Sequence, residues 1–219
     1  MIRAIVKRDL TVALRSGGAW LHGLFFFAAF IALSAIAFGG SINQMRPFAP
    51  ALIWLAVIFS AMLSFPAIFQ EDYQDGNLAQ LKLSSSSLIP VTVAKSISFA
   101  LLSIAPLLVA TPLVALVFDM PSNVLVATLI SFLIAAPALT IYGVLSSAIL
   151  AGRRGGGFLI VLMTTPFLIP LLIFGLGAVE SYPANGLAAI EFRALIGLSF
   201  IAIAVGIPAA TAALNANLE

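Results

Sequence analysis

The side chains that usually carry chemistry are almost missing from this chain. Its 219 residues include one histidine and no cysteine. Without cysteine there is no disulfide, no iron–sulfur cluster and no thiol nucleophile. A metal site wants several converging ligands, and His22 has no second histidine, no cysteine and no nearby carboxylate beside it. A serine hydrolase would require His22 to meet a serine in one specific pocket. As a structural residue it is a polar anchor at a membrane edge. Met62, Met120 and Met163 could contact a soft ligand, but methionine in a core is ordinarily packing. The one glycine-rich stretch, Gly152-Arg153-Arg154-Gly155-Gly156-Gly157, lacks the Lys-Ser/Thr ending of a phosphate loop and follows no strand. It reads as a cytoplasmic turn carrying two arginines. No catalytic, cofactor-binding or metal-binding residue is assigned. If ATP is used, another chain must hold it.

One polar segment stands apart. Residues 70–90 contain Glu71, Asp72 and Asp75, three of the eight acids in the chain. Asp75-Gly76 is a turn signal. Asn77 could then cap a short helix with Leu78 and Leu81 on one face. The serines at 84–87 and Pro90 end it. The expectation is a short surface helix, with both leucines exposed to a partner and an acidic shoulder beside them. A solvated loop is the other reading.

The rest of the chain must place that segment. Hydrophobic residues make up 62% of it and charged residues 8%, where a soluble domain carries roughly 25% charge. A soluble enzyme, a nucleic-acid binder and a disordered chain are excluded. A net charge of +2 is too small to argue for a polyanion partner. Charge-free stretches run between Arg15 and Arg46, Arg46 and Glu71, Lys95 and Asp119, Asp119 and Arg153, Arg154 and Glu180, and Arg193 and Glu219. Each is long enough for one helical crossing of about 20 residues. The runs are continuously apolar, which favours helices over a barrel. Six transmembrane helices are expected near 20–39, 49–69, 93–118, 123–150, 158–179 and 194–214. They form one all-α permease-like domain over residues 1–219. The first apolar run is too long for a secretory h-region.

With the N-terminus in the cytoplasm, Arg3, Lys7, Arg8, Arg15, Lys82, Lys95, Arg153 and Arg154 fall on the cytoplasmic side. Arg46 and Arg193 fall on the far side. The positive-inside rule supports that orientation, with both termini cytoplasmic. Arg3, Lys7, Arg8, Arg15, Arg153 and Arg154 are the main topology determinants. Residues 1–18 form a separate basic amphipathic helix. Ile2, Ile5, Val6, Leu10, Ala13 and Leu14 lie on one side, and Arg3, Lys7, Arg8, Thr11 and Arg15 largely on the other. It is either an interfacial anchor or a partner-docking elbow, and Gly17-Gly18 ends it.

The membrane interior is expected to hold no acidic or basic residue, which argues against a proton relay or a charged ion pathway. Pro66, Pro106, Pro112, Pro137, Pro166, Pro170 and Pro208 all fall within expected helices and tend to kink them. Gly143, Ser147 and Ala151 make a small-residue face for close helix contact, within the chain or between two chains. The short stretch from Glu180 to Arg193 is a small surface helix or a plain loop.

The segment Gln70-Glu71-Asp72-Tyr73-Gln74-Asp75-Gly76-Asn77-Leu78-Ala79-Gln80-Leu81 resembles the coupling loop of ABC-2-type permeases. Further similarity lies in Ala49-Pro50-Ala51-Leu52-Ile53-Trp54, in Ala94-Lys95 after Pro90, in Arg154-Gly155-Gly156, and in the run Pro166 to Phe174. Together they resemble the haem exporter B family, the permease subunit of the cytochrome c maturation transporter. The serines at 84–87 depart from that family, where a more apolar, proline-containing stretch is expected.

The resemblance implies a multi-pass permease subunit in a bacterial inner membrane. It implies a separate ABC ATPase subunit, a haem-handling C subunit, a small D subunit and a periplasmic haem chaperone as partners. ATP would sit on the ATPase, and haem would be handled by the complex without direct ligation by this chain. Glu71, Asp72, Asp75, Gly76, Leu78 and Leu81 would form the coupling helix that docks on the ATPase. One six-span chain is half of the usual transporter, so a homodimer is implied. An ABC-2-type permease for a lipid, drug or polysaccharide is the alternative. A passive membrane scaffold and an intramembrane enzyme using His22 are the remaining ones.

Overall fold

The computed structural model describes residues 1–16, 19–84, 87–153 and 156–218. All regular structure among them is helical. The helices are α1 (Ile2–Ser16), α2 (Ala19–Ala37), α3 (Ile42–Met45), α4 (Ala49–Ser64), α5 (Gln70–Gln74), α6 (Asn77–Ser84), α7 (Ile89–Phe99), α8 (Ala105–Val117), α9 (Ser122–Ile149), α10 (Gly156–Asn185), α11 (Ile190–Ile201) and α12 (Ile207–Asn217). Among the described residues, six stretches are long and apolar enough to cross a membrane: Trp20–Ala37, Ile42–Ser64, Ile89–Val117, Ser122–Ile149, Gly156–Ala188 and Ile190–Asn217. They match the six expected spans, with shifted ends.

The early end of the second span traces to proline. The second span ends its α-helix at Ser64, and Pro66 opens a tight 3-10 turn over Pro66–Ile68. Pro66 therefore lies outside the membrane helix that was expected to reach residue 69. In the third and sixth spans, π-turns at Ala100–Ile104 and Ala202–Gly206 directly precede Pro106 and Pro208. A proline cannot donate the i→i−4 bond, and a turn one residue wider re-registers the ladder around the gap. Pro112, Pro137, Pro166, Pro170 and Pro183 sit inside their helices. Because α10 runs through Pro183 to Asn185 before a 3-10 turn at Gly186–Ala188, most of the stretch from Glu180 to Arg193 is neither a separate surface helix nor a plain loop. It continues the fifth span.

The core gathers around α9, which touches α4, α7, α8, α10, α11 and α12. Small residues set these distances. A β-carbon at Gly143 would collide with the Phe65 ring, one at Gly175 with Trp54 and one at Gly206 with Ile141. The Gly143, Ser147 and Ala151 face is buried within the chain, so it packs helices of one molecule. Trp54 stacks at a tilt on Phe132, with ring centroids 4.3 Å apart.

Side-chain ties fix which loops share an end of the bundle. Arg46 meets Asp119 at 3.4 Å, joining the start of the second span to the turn after the third. At the opposite end Arg8 of α1 reaches Asp72 of α5, and Lys82 of α6 donates to the Asn215 carbonyl of α12. Asn217 donates to the Ala148 and Ile149 carbonyls and so caps the C-terminus of α9. Residues from both ends of the chain, together with the 70–84 segment, therefore lie at one end of the bundle.

Candidate functional site

The 70–84 segment is built as two short helices around a turn. Gly76 has φ of 72°, a left-handed conformation that costs a side-chain-bearing residue energy and glycine little. Its N–H donates to the Tyr73 carbonyl at 3.2 Å. The chain then re-enters a helix at Asn77. Asn77 does not turn its side chain to the α6 backbone as a cap. Its amide donates instead to Asp72 Oδ1 at 3.3 Å.

The leucines also differ from the expectation. Leu78 is 0% exposed and part of the core. Leu81 is half-buried and packs against that core. The leucine presented outward is Leu83, 90% exposed. An eight-residue helix lying on a bundle must turn one side inward, and Leu78 falls on that side. Glu71 and Asp75 are exposed, while Asp72 is buried.

Asp72 anchors the segment. Arg8 Nη2 donates to Asp72 Oδ1 at 2.9 Å and Oδ2 at 3.0 Å. The same guanidinium holds Asp9 through Nε at 3.2 Å and Nη2 at 2.9 Å. Lys95 Nζ of α7 ion-pairs with Asp72 Oδ2 and lies 3.0 Å from Asp9 Oδ2. Two cations and two carboxylates thus close a ring joining α1, α5 and α7. The Lys95, Asp9 and Asp72 side chains are only 10–11% exposed. Charges this buried persist only when paired and hydrogen-bonded.

The electrostatics follow from the same ring. Burial pushes the Asp72 carboxyl up, but the Lys95 charge and hydrogen bond, then Arg8 and Asn77, outweigh it and hold the group below its ordinary range. Burial likewise works against the Arg8 charge, and Asp9 and Asp72 more than restore it, so the guanidinium is held more firmly protonated.

Two expectations are corrected here. Arg8 does not stay on the outer face of α1 but reaches inward. Lys95 is buried inside the third membrane helix, so that helix does hold a basic residue. Asp9 carried no role in the sequence reading. The available signal was its position four residues after Ile5, an acid on the side of α1 that turns inward. Arg3, Lys7, Arg15 and Arg153 are exposed at this end of the bundle, and Arg154 lies outside the described residues. His22 is exposed, and no cluster of three or more metal-ligating His, Cys, Asp or Glu occurs among the described residues.

Further contacts clasp the segment. Tyr73 packs on Gly152, whose φ is 78° and whose missing β-carbon leaves room for the ring. Beside the ionic ring lies a half-open cavity of about 320 Å³, between α1, α5 and the third span.

A bundle of six membrane-crossing helices, with a surface segment clasped to it by buried ion pairs, defines a multi-pass helical membrane protein. Residues 1–217 match the family described as CcmB protein, and the chain belongs to that family. It is similar to "Heme exporter protein B" of Haemophilus influenzae, 33% identical over 210 residues, covering 93% of this chain and 95% of that protein. The proteins of the same name from Bradyrhizobium diazoefficiens and Escherichia coli K12 are 30% and 31% identical. These matches cover 100% and 97% of this chain, and 99% and 96% of the relatives.

Proposed function

We propose that this chain is the permease subunit of an ABC transporter complex for c-type cytochrome biogenesis in a bacterial inner membrane. A separate ATPase subunit supplies the hydrolysis. The complex exports haem, or releases the haem-loaded periplasmic chaperone, and also includes the haem-handling C subunit and the small D subunit. This chain works as a homodimer, ligates no haem itself and catalyses no reaction. The end bearing α1, α5, α6 and α12 faces the cytoplasm, consistent with the excess of Lys and Arg there.

The observation that carries this reading is the full-length similarity to proteins named for haem export. The clasped segment gives it a mechanism. The ATPase docks on residues 70–84, through the acids Glu71 and Asp75 beside the turn at Gly76 and through the leucines of α6. Leu81 and the outward Leu83 make the apolar contact, while Leu78 holds the helix to the core. Asp72 is the rigid link. A displacement of α5 pulls on Lys95, and so on the third span just before its π-turn, and on Arg8 of α1.

The test is co-purification from native membranes, with subunit identification and a haem absorbance spectrum. The wild type should bring down an ATPase and a haem-carrying partner, and stripping that partner should remove the haem. Leu81→Glu with Leu83→Glu should lose the ATPase while the chain still inserts. Retention of the ATPase and of cytochrome c maturation by that variant would overturn the docking assignment. Haem retained by the isolated chain would overturn the assignment of haem to other subunits.

A further inference from the structure

The cavity beside the ionic ring has an unbalanced charge and an unmet hydroxyl. Six ionisable side chains line it: Arg8, Lys95, Asp9, Asp72, Glu71 and Asp75. The first four neutralise one another in the ring. Glu71 and Asp75 remain, two carboxylates at an exposed rim. Deeper in, Ser98 lines the same cavity. Its residue is 3% exposed, and its hydroxyl has no hydrogen-bond partner among the described residues. A buried hydroxyl without a partner carries a desolvation cost that a ligand oxygen would remove.

The rest of the lining includes the polar side chains of Ser64, Asn77 and Ser103 and an apolar stretch made by Val12 and Ala13 of α1, Trp20 of α2 and Phe99 and Leu102 of the third span. Trp20 donates its indole N–H to the Ala13 carbonyl at 3.1 Å. A tryptophan at the start of a membrane helix marks the headgroup level of the bilayer. The apolar side chains Val12 and Leu14 of α1 are exposed beside it, as for a helix lying in that layer. The volume of about 320 Å³ falls at the small end of the usual range for ligand pockets, roughly 300–1,000 Å³.

We propose that this cavity is a binding site for one phospholipid with a primary-ammonium headgroup, an ethanolamine lipid. Its ammonium sits between Glu71 and Asp75. Its phosphate or ester oxygen accepts from Ser98. The start of an acyl chain lies along Phe99, Leu102 and Trp20. The net negative rim selects against anionic headgroups, and a primary ammonium offers hydrogen bonds that a quaternary choline lacks. The site does not depend on haem handling, but it shares Glu71 and Asp75 with the proposed ATPase-docking segment, so lipid and ATPase would hold those two carboxylates alternately. It would make the clasp around Asp72 sensitive to the lipid beside it.

The experiment uses the full chain, purified in detergent and exposed in turn to phosphatidylethanolamine, phosphatidylcholine, phosphatidylglycerol and water-soluble phosphoethanolamine. Native mass spectrometry reads the bound species. The expected result is one phosphatidylethanolamine retained per chain, at least tenfold over the other two lipids, with phosphoethanolamine binding too weakly to persist. Glu71→Gln with Asp75→Asn alters only exposed positions and should lower retention at least tenfold. Ser98→Ala should lower it severalfold, and Val12→Trp, which fills the cavity from an exposed position, should abolish it. Equal retention of all three lipids would identify annular lipid only and overturn the site. Unchanged phosphatidylethanolamine binding in the Glu71/Asp75 variant would overturn the headgroup assignment. Preference for phosphatidylglycerol would overturn the charge argument.

Discussion

Both ends of the bundle carry ion pairs, but they are not equivalent. Arg46 and Asp119 sit 3.4 Å apart with side chains 45% and 70% exposed. They join two turns from outside, and an exposed pair of this kind contributes about 0–1 kcal/mol. Arg8, Asp9, Asp72 and Lys95 make contacts of similar chemistry around side chains of which three are about nine-tenths buried. There, among the described residues, the three buried side chains find their counter-charges only in one another and in Arg8. Removing one partner of a buried pair costs about 3–5 kcal/mol, because the other is left charged and alone. The lesson is one of placement. At the Arg46 end an ion pair decorates finished helices. At the Arg8 end it decides where α1 and α5 lie relative to the third span.

That contrast can be broken experimentally, starting with its strongest claim. Lys95→Ala should destabilise the purified protein by about 3–5 kcal/mol, read as a lowered midpoint in thermal or denaturant unfolding in detergent. It should also expose the 70–84 segment to protease. A loss below about 1 kcal/mol would make the two ends alike after all. Within α6 the same distinction recurs between leucines. Leu78→Ala should cost about 2–5 kcal/mol as a buried truncation, whereas Leu83→Ala should stay within about 0.5 kcal/mol.

The buried ring also sets a pH response. Asp72 is held below its ordinary value of 3.8, so its ionised form is favoured in the folded state. Its contribution is therefore fully present above the unfolded pKa and lost as pH falls through the lower folded pKa. The unfolding midpoint should be insensitive to Asp72 between pH 6 and 8. Below about pH 4 the wild type should lose stability more steeply than Asp72→Asn. The far end should respond weakly. Arg46→Ala should shift stability by less than about 1 kcal/mol, and raising the salt concentration should erase the difference from wild type.

The six spans were legible because hydrocarbon demands long runs without charge, a property of consecutive residues. The turn at Asp75-Gly76 and the short helix after it were legible for a similar reason, since turn chemistry is local. The span ends were read less well. The spacing at Pro66 does not say whether a proline will sit within a helix or open a 3-10 turn after it. Nor does it announce the π-turns ahead of Pro106 and Pro208.

The candidate site divides in the same way. Glu71, Asp72 and Asp75 stood out as acids in a basic surrounding, yet nothing in their spacing separates the buried Asp72 from its two exposed neighbours. Its partners are Arg8, 64 residues away, and Lys95 on another helix. Arg8 read as outward-facing because the other basic residues of its helix face outward. Asp9 went unremarked, although an acid four residues after the inward-facing Ile5 was a usable sign.

Six membrane crossings, an amphipathic α1 and an acidic segment between the second and third spans are legible in consecutive residues. Each follows from the free energy of moving consecutive side chains between water and hydrocarbon. Packing sets the inward turn of Leu78 and the outward one of Leu83. It alone decides that Arg8, Asp9, Asp72 and Lys95 meet, and that a cavity with two unneutralised carboxylates opens beside them. Those outcomes depend on which distant surfaces share one buried space, and a buried charge is stable only where its counter-charge arrives with it.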